Sequence, residues 1–319
     1  MTAVQLIGGL TLLLLGGEAL VKGSVAVAQR LGVSPMLIGL TLVGFGTSTP
    51  ELVTSVQAAL AGAPGIAVGN VVGSNIANIL LILGLAALIQ PMATTKEAFR
   101  RDGSVLIAAS LLLLAVVLGG AIPRWAGAVF LALLLGYTLF AYFAERSGTD
   151  PAAAVHAAEA SEVAAMPPRA LGPWLAALLA AGGIAAVVVG ADLLVDSALE
   201  IARAAGLSEA VIGLTLVAVG TSLPELVTSV MAAIRRHADI AFGNIVGSNI
   251  FNILGVAGMA AVASPIAVPS QIVQFDIWAM LASALVLVAF AATGWRLNRW
   301  EGAALLAGYG GYLALQLAP

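Results

Sequence analysis

The chain has 319 residues, of which 61% are hydrophobic and 9% charged, with 13 Lys+Arg against 16 Asp+Glu and a formal net charge of −3. Soluble domains carry roughly 25% charged residues, so a chain with a mean hydropathy of +1.07 lacks the polar surface to enclose a water-facing fold of this size. It reads as an all-α polytopic membrane protein, which excludes nucleic-acid binding and cytosolic catalysis and makes the lipid bilayer its first partner.

The absence of cysteine removes disulfides and thiolate metal sites. Met1 to Gly9 lack the basic n-region of a cleavable signal, so the first apolar segment is read as a retained helix. Apolar runs bounded by charges or Pro/Gly clusters predict ten transmembrane helices: 3–30, 35–60, 65–90, 103–121, 125–144, 172–203, 209–234, 240–263, 272–293 and 297–317. Between the fifth and sixth, residues 147–170 are Ala-rich with Asp150, Glu159, Glu162 and Pro167-Pro168, and read as a cytoplasmic linker. The organisation expected is a five-helix repeat over 1–146, the linker, and a second, inverted five-helix repeat over 171–319.

Orientation follows from the basic residues. One set of alternating loops holds Arg30, Lys96, Arg100, Arg101, Arg146, Arg169, Arg235, Arg236, Arg296 and Arg299, while the opposite set holds Arg124 and Arg203. This bias places both termini outside and the linker in the cytoplasm of a bacterial-type inner membrane.

A shift of 174 residues aligns the halves without a gap. Gly39 to Ala59 (GLTLVGFGTSTPELVTSVQAA) matches Gly213 to Ala233 (GLTLVAVGTSLPELVTSVMAA) at 17 of 21 positions, and Gly69 to Ile79 (GNVVGSNIANI) matches Gly243 to Ile253 (GNIVGSNIFNI) at 9 of 11. With five helices per half, the second copy enters the membrane from the opposite side. Inverted repeats meeting at the midplane are a common ground plan of secondary transporters.

Each repeat places a carboxylate, Glu51 or Glu225, in an otherwise apolar helix, where an acid is costly and points to function. The preceding Pro50 or Pro224 frees backbone carbonyls about a turn back. Thr47 and Thr221 share a helix face with these glutamates at i,i+4, and Ser74/Asn78 and Ser248/Asn252 repeat that spacing in the following helices. Every group in this inventory is a hard oxygen donor, which selects Na⁺, Ca²⁺ or Mg²⁺. Two ionised glutamates neutralise one Ca²⁺ or two Na⁺, so the two ions would compete for one charge.

Other features read as structural. Gly69/Gly73 and Gly243/Gly247 are small-xxx-small packing patterns; Ser55 and Ser229 bond back to the preceding turn; Asn70 and Asn244 satisfy freed backbone groups; and Glu18 pairs with Lys22. Asp192 and Asp196 face a vestibule, and Asp102 and Asp276 favour helix N-termini.

The paired motifs GTSTPELVTSV with GNVVGSNIANI and GTSLPELVTSV with GNIVGSNIFNI resemble the two alpha-repeats of the calcium/cation antiporter superfamily, in its prokaryotic sodium/calcium exchanger branch. The resemblance covers the whole chain. It implies that Glu51 and Glu225 are shared ligands, that Thr47, Ser48, Thr221 and Ser222 coordinate sodium or calcium, that Ser74, Asn78 and Ser248 close the cage, and that the Gly44 and Ala218 carbonyls are backbone ligands. It further implies that the first and sixth helices slide over the site as a gate. Some members carry Asp where this chain has Asn252, so its cage holds two acids. The activity implied is Na⁺/Ca²⁺ antiport, with no cofactor and no enzymatic reaction; exchange of Ca²⁺ or another cation for H⁺ on the same fold is the alternative.

Overall fold

The computed structural model describes residues 2–31, 38, 45–93, 96–146, 172–235, 238–292 and 295–317. Gly44, most of the first half of the second predicted helix and the linker 147–170 lie outside them. The described helices are α1 (Thr2–Arg30), α2 (Thr49–Leu60), α3 (64–89), α4 (Lys96–Val117), α5 (Arg124–Arg146), α6 (Pro173–Ala205), α7 (Glu209–Thr221), α8 (Leu223–Ile234), α9 (238–263), α10 (272–292) and α11 (Arg299–Gln316). Each predicted range contains helix. Among the described residues six are long and apolar enough to cross a membrane, and a seventh span results if α7 and α8, bent by 48° at Ser222, count as one.

Local chemistry sets several boundaries. Proline stands in the first turn of α2, α3, α6 and α8, where its missing N–H is not needed. α6 ends at Gly206 in the left-handed region, φ +65°. α11 begins with a capping box between Asn298 and Glu301. Four helices contain wider π turns, at Ala77–Leu83, Gly213–Val217, Asn252–Val256 and Ile272–Asp276. Such turns cluster at functional sites, and two of them hold Asn78 and Asn252.

α3 and α9 are the most enclosed helices, whereas α1, α5 and α6 turn many apolar side chains outward, as lipid contact requires. Trp125, Trp174 and Trp300 stand exposed in the first turns of α5, α6 and α11, and aromatic rings of this kind are enriched where membrane helices end. α1 and α6 form a close antiparallel pair in which Gly9 meets Gly190, Gly16 meets Gly183 and Gly23 meets Ala176. With 29 and 33 residues, they are about 44 and 50 Å long, so they cross a hydrocarbon layer of about 30 Å with residues to spare.

α3 lies as closely on α7. A Cβ added at Gly69 would sit 3.0 Å from the Ala210 carbonyl oxygen, and at Gly73 2.5 Å from that of Leu214, as the small-xxx-small reading of this segment expects.

Two short antiparallel ladders tie the halves together. β1 (Met92–Ala93) pairs with β4 (Arg296–Leu297), and β2 (Ala121–Ile122) with β3 (Ile266–Ala267).

Candidate ion-binding site

Glu51 and Glu225 are both fully buried, each in the first turn of a helix whose second residue is a proline. The sequence Ser48-Thr49-Pro50-Glu51, like Ser222-Leu223-Pro224-Glu225, has the spacing of a capping box, in which serine and glutamate would cap their own helix. Neither serine caps. The Ser48 hydroxyl donates to Glu225 Oε1 at 2.7 Å, and the Ser222 hydroxyl to Glu51 Oε1 at 2.9 Å. Each carboxylate is therefore held by the opposite half of the chain.

The second oxygens, Glu51 Oε2 and Glu225 Oε2, are buried and have no hydrogen-bond partner. The same holds for Thr47 Oγ1, Asn78 Oδ1 and both amide atoms of Asn252. Native interiors satisfy nearly all such groups. An unpartnered set drawn from one motif and its copy marks the place where a cation would supply the missing partner.

Asn70 organises the surroundings. Its amide donates to Ser55 Oγ at 2.9 Å and to the Glu51 carbonyl at 3.3 Å, while its Oδ1 accepts from Thr221 at 3.0 Å and Ser74 at 3.5 Å. Asn244 donates to Ser229 Oγ at 3.1 Å. Ser55 and Ser229 thus accept from the asparagines of the next helix, in place of the back-bonding expected of them. The Ala218 carbonyl accepts from the Ser222 N–H at 3.1 Å and lies 3.3 and 3.4 Å from the Thr221 and Ser74 hydroxyls, whose single protons it shares with Asn70 Oδ1.

The halves are not equivalent in detail. Ser248 donates to Glu225 Oε1 at 3.4 Å, whereas its counterpart Ser74 turns to Asn70 and Ala218. Phe45 and Phe251 stack across the halves at 4.6 Å, at positions where the other copies carry Val219 and Ala77.

Two asparagines of the site, Asn75 and Asn249, escape a reading of the sequence alone. Asn249 Oδ1 accepts from Asn78 at 3.0 Å, and Asn249 donates to the Asn75 carbonyl at 3.4 Å. With its N–H₂ engaged in this way, Asn78 leaves its oxygen free. The signal that could find them is the doubled Gly-Ser-Asn triplet. Away from the site, Glu18 and Lys22 form the expected ion pair, on the exposed face of α1, and Asp192 and Asp196 are exposed on α6.

A bundle of apolar helices around buried, hard-oxygen side chains defines a multi-pass membrane protein of the cation-transporter class. Residues 1–143 and 175–318 match the family described as sodium/calcium exchanger protein, and the chain belongs to that family. It is 37% identical to the putative antiporter CaxA of Alkalimonas amylolytica, over 95% of each chain. It is 35% identical to the sodium/calcium exchanger MaX1 of Methanosarcina acetivorans, over 96% of each. The solved structure of the sodium-calcium exchanger NCX_Mj soaked with Na⁺ and Ca²⁺ superposes with a TM-score of 0.66 at 31% identity, covering 100% of this chain and 98% of that one. These relationships make the protein a cation antiporter of the calcium/cation antiporter superfamily, with transported ions as its substrates.

Proposed function

We propose that this protein exchanges Na⁺ for Ca²⁺ by alternating access around Glu51 and Glu225, within ten spans arranged as two inverted five-helix repeats joined by the linker 147–170, with both termini outside the inner membrane. The observation that carries the reading is the reciprocal Ser48–Glu225 and Ser222–Glu51 pairing, with the second oxygen of each carboxylate left unpartnered. Because each acid is held by one half and carried by the other, relative movement of the halves changes both ends of the site at once. Thr47, Thr221, Ser74, Ser248, Asn78 and Asn252 supply further oxygens around the pair, and the carbonyls of Gly44 and Ala218 complete the proposed set.

Two carboxylates balance one Ca²⁺ or two Na⁺. A third Na⁺ leaves the loaded site positive, so exchange of three Na⁺ for one Ca²⁺ moves one charge, and 100 mV biases the cycle by about 2.3 kcal/mol. The test is calcium uptake into sodium-loaded vesicles at clamped potentials, with and without a proton gradient. Uptake should require internal sodium, respond to voltage and persist without potassium. Uptake driven by a proton gradient in the absence of sodium would overturn the choice of counter-ion.

A further inference from the structure

Asp276 and Asp102 are related by the 174-residue shift, and their surroundings differ. Asp102 is the seventh residue of α4 and accepts from Arg101 Nε at 2.7 Å and the Tyr137 hydroxyl at 3.0 Å. Asp276 closes the π turn of α10 and is fully buried against α11. Neither serves the helix N-terminus, as expected of them, because both helices begin earlier than their acids. Where the first half has Arg101, the second has Phe275.

Asp276 Oδ1 accepts from the Tyr312 hydroxyl at 3.0 Å and from the Gln316 side-chain amide. Its Oδ2 is buried without a partner, as is the hydroxyl of Tyr309, whose ring lies 6.5 Å from that of Tyr312. Charged groups on the packed elements are few. α3 carries none, α4 has Lys96, Glu97 and Arg100 in its first turns followed by the Arg101–Asp102 pair, β4 has the exposed Arg296, and Glu209 follows Ser208 at the start of α7. Arg299 and Glu301 stand in the first turn of α11, roughly 16–20 Å along the helix from Tyr312. No described basic group bonds to Asp276.

The hydrogen bonds leading to it all run one way. Ser208 donates to Gln271 Oε1 at 3.3 Å, Gln271 donates to Gln316 Oε1 at 2.7 Å, and Gln316 donates to Asp276. Ser208 is also the N-cap of α7, accepting from the Val211 N–H at 3.2 Å. The chain thus links a buried acid to the start of the segment that carries Thr221, Ser222 and Glu225.

A buried carboxylate anion with a bare oxygen and no counter-ion is among the costliest arrangements a protein can hold. A carboxylic acid fits the same geometry. Its carbonyl oxygen takes both donors and its hydroxyl lies at Oδ2. We propose that Asp276 is a proton-binding site separate from the ion cage, carrying its proton on Oδ2. Exchange of that proton with water, at the membrane face where Ser208 and Gln316 lie, alters transport through the N-cap of α7. The proton site stands apart from the exchange reading above; its effect on flux rests on that reading.

Infrared difference spectroscopy on the purified protein tests the site. The wild type at neutral pH should show a carboxylic C=O band that Asp276→Asn lacks, that Tyr312→Phe moves to higher frequency, and that alkaline pH removes. Asn preserves the acceptor of the neutral acid, so Asp276→Asn should keep its melting temperature and its neutral-pH calcium flux. When the pH on the Gln316 face is raised through the loss of the band, wild-type flux should change while that of the variant stays flat. Absence of the band, or a large drop in the variant's melting temperature, overturns the proton site. A pH response identical in both proteins overturns its link to transport. A wild type without sodium-dependent flux refutes the exchange reading, and the band still decides the proton site.

Discussion

Glu51 and Glu225 differ from ordinary buried acids in what satisfies them: each takes a hydroxyl borrowed from the other half, and Glu225 adds the longer bond from Ser248 of its own. Under the proposed function, Glu51→Gln and Glu225→Gln should each abolish calcium transport while the protein stays folded, because one carboxylate cannot neutralise a divalent ion. Calcium flux in vesicles, with size-exclusion profiles as the control for folding, checks this. The serines should matter for stability in the absence of ions. Removing the donor to a buried charged group costs about 1.5–3 kcal/mol, so Ser48→Ala and Ser222→Ala should each lower the melting temperature in sodium- and calcium-free detergent. An unchanged melting temperature in both would mean that the exchanged bonds carry no energy. The acids were legible in the sequence because a carboxylate in a long apolar run is too costly to persist without a use. Their pairing was not. Ser-x-Pro-Glu reads locally as a cap, and its partners 171 and 177 residues away become visible only once the two helices lie side by side.

At the scale of the helices, close packing is graded along one face. The added Cβ would approach backbone at 3.0 Å on Gly69 and at 2.5 Å on Gly73, and backbone cannot yield as a flexible side chain can. Gly73→Ala should therefore destabilise more than Gly69→Ala, measured by thermal unfolding in detergent; the reverse order would contradict the α3–α7 contact. Hydrophobic runs were sufficient to locate helix in every predicted range, since burial in lipid demands it. The π turns were invisible, because an extra residue in a turn leaves no mark on an apolar pattern. The two ladders were equally hidden, as each is made by residues far apart in the chain. Asp276 departs from its expected place at a helix terminus because a π turn precedes it and the side chains of α11 enclose it.

For the molecule as a whole, the proposed inverted arrangement has a direct test, helped by the lack of native cysteine. Ala61 and Arg235 are exposed and stand at equivalent positions of the two halves. Single cysteines at these two places should react with a membrane-impermeant reagent from opposite sides of the membrane. Labelling of both from one side would rule out opposite orientation of the repeats.

The exchanged serine–glutamate bonds also bear on how the protein is made. Glu51 emerges from the ribosome 171 residues before Ser222, an interval of roughly 10–30 s at about 5–20 residues per second. Throughout it, the first half has no native donor for its acid. The early chain must keep that side chain in water or neutral until the second half arrives, so maturation of the two halves is a single late event, and a polypeptide stalled before Ser222 is a natural target for membrane quality control.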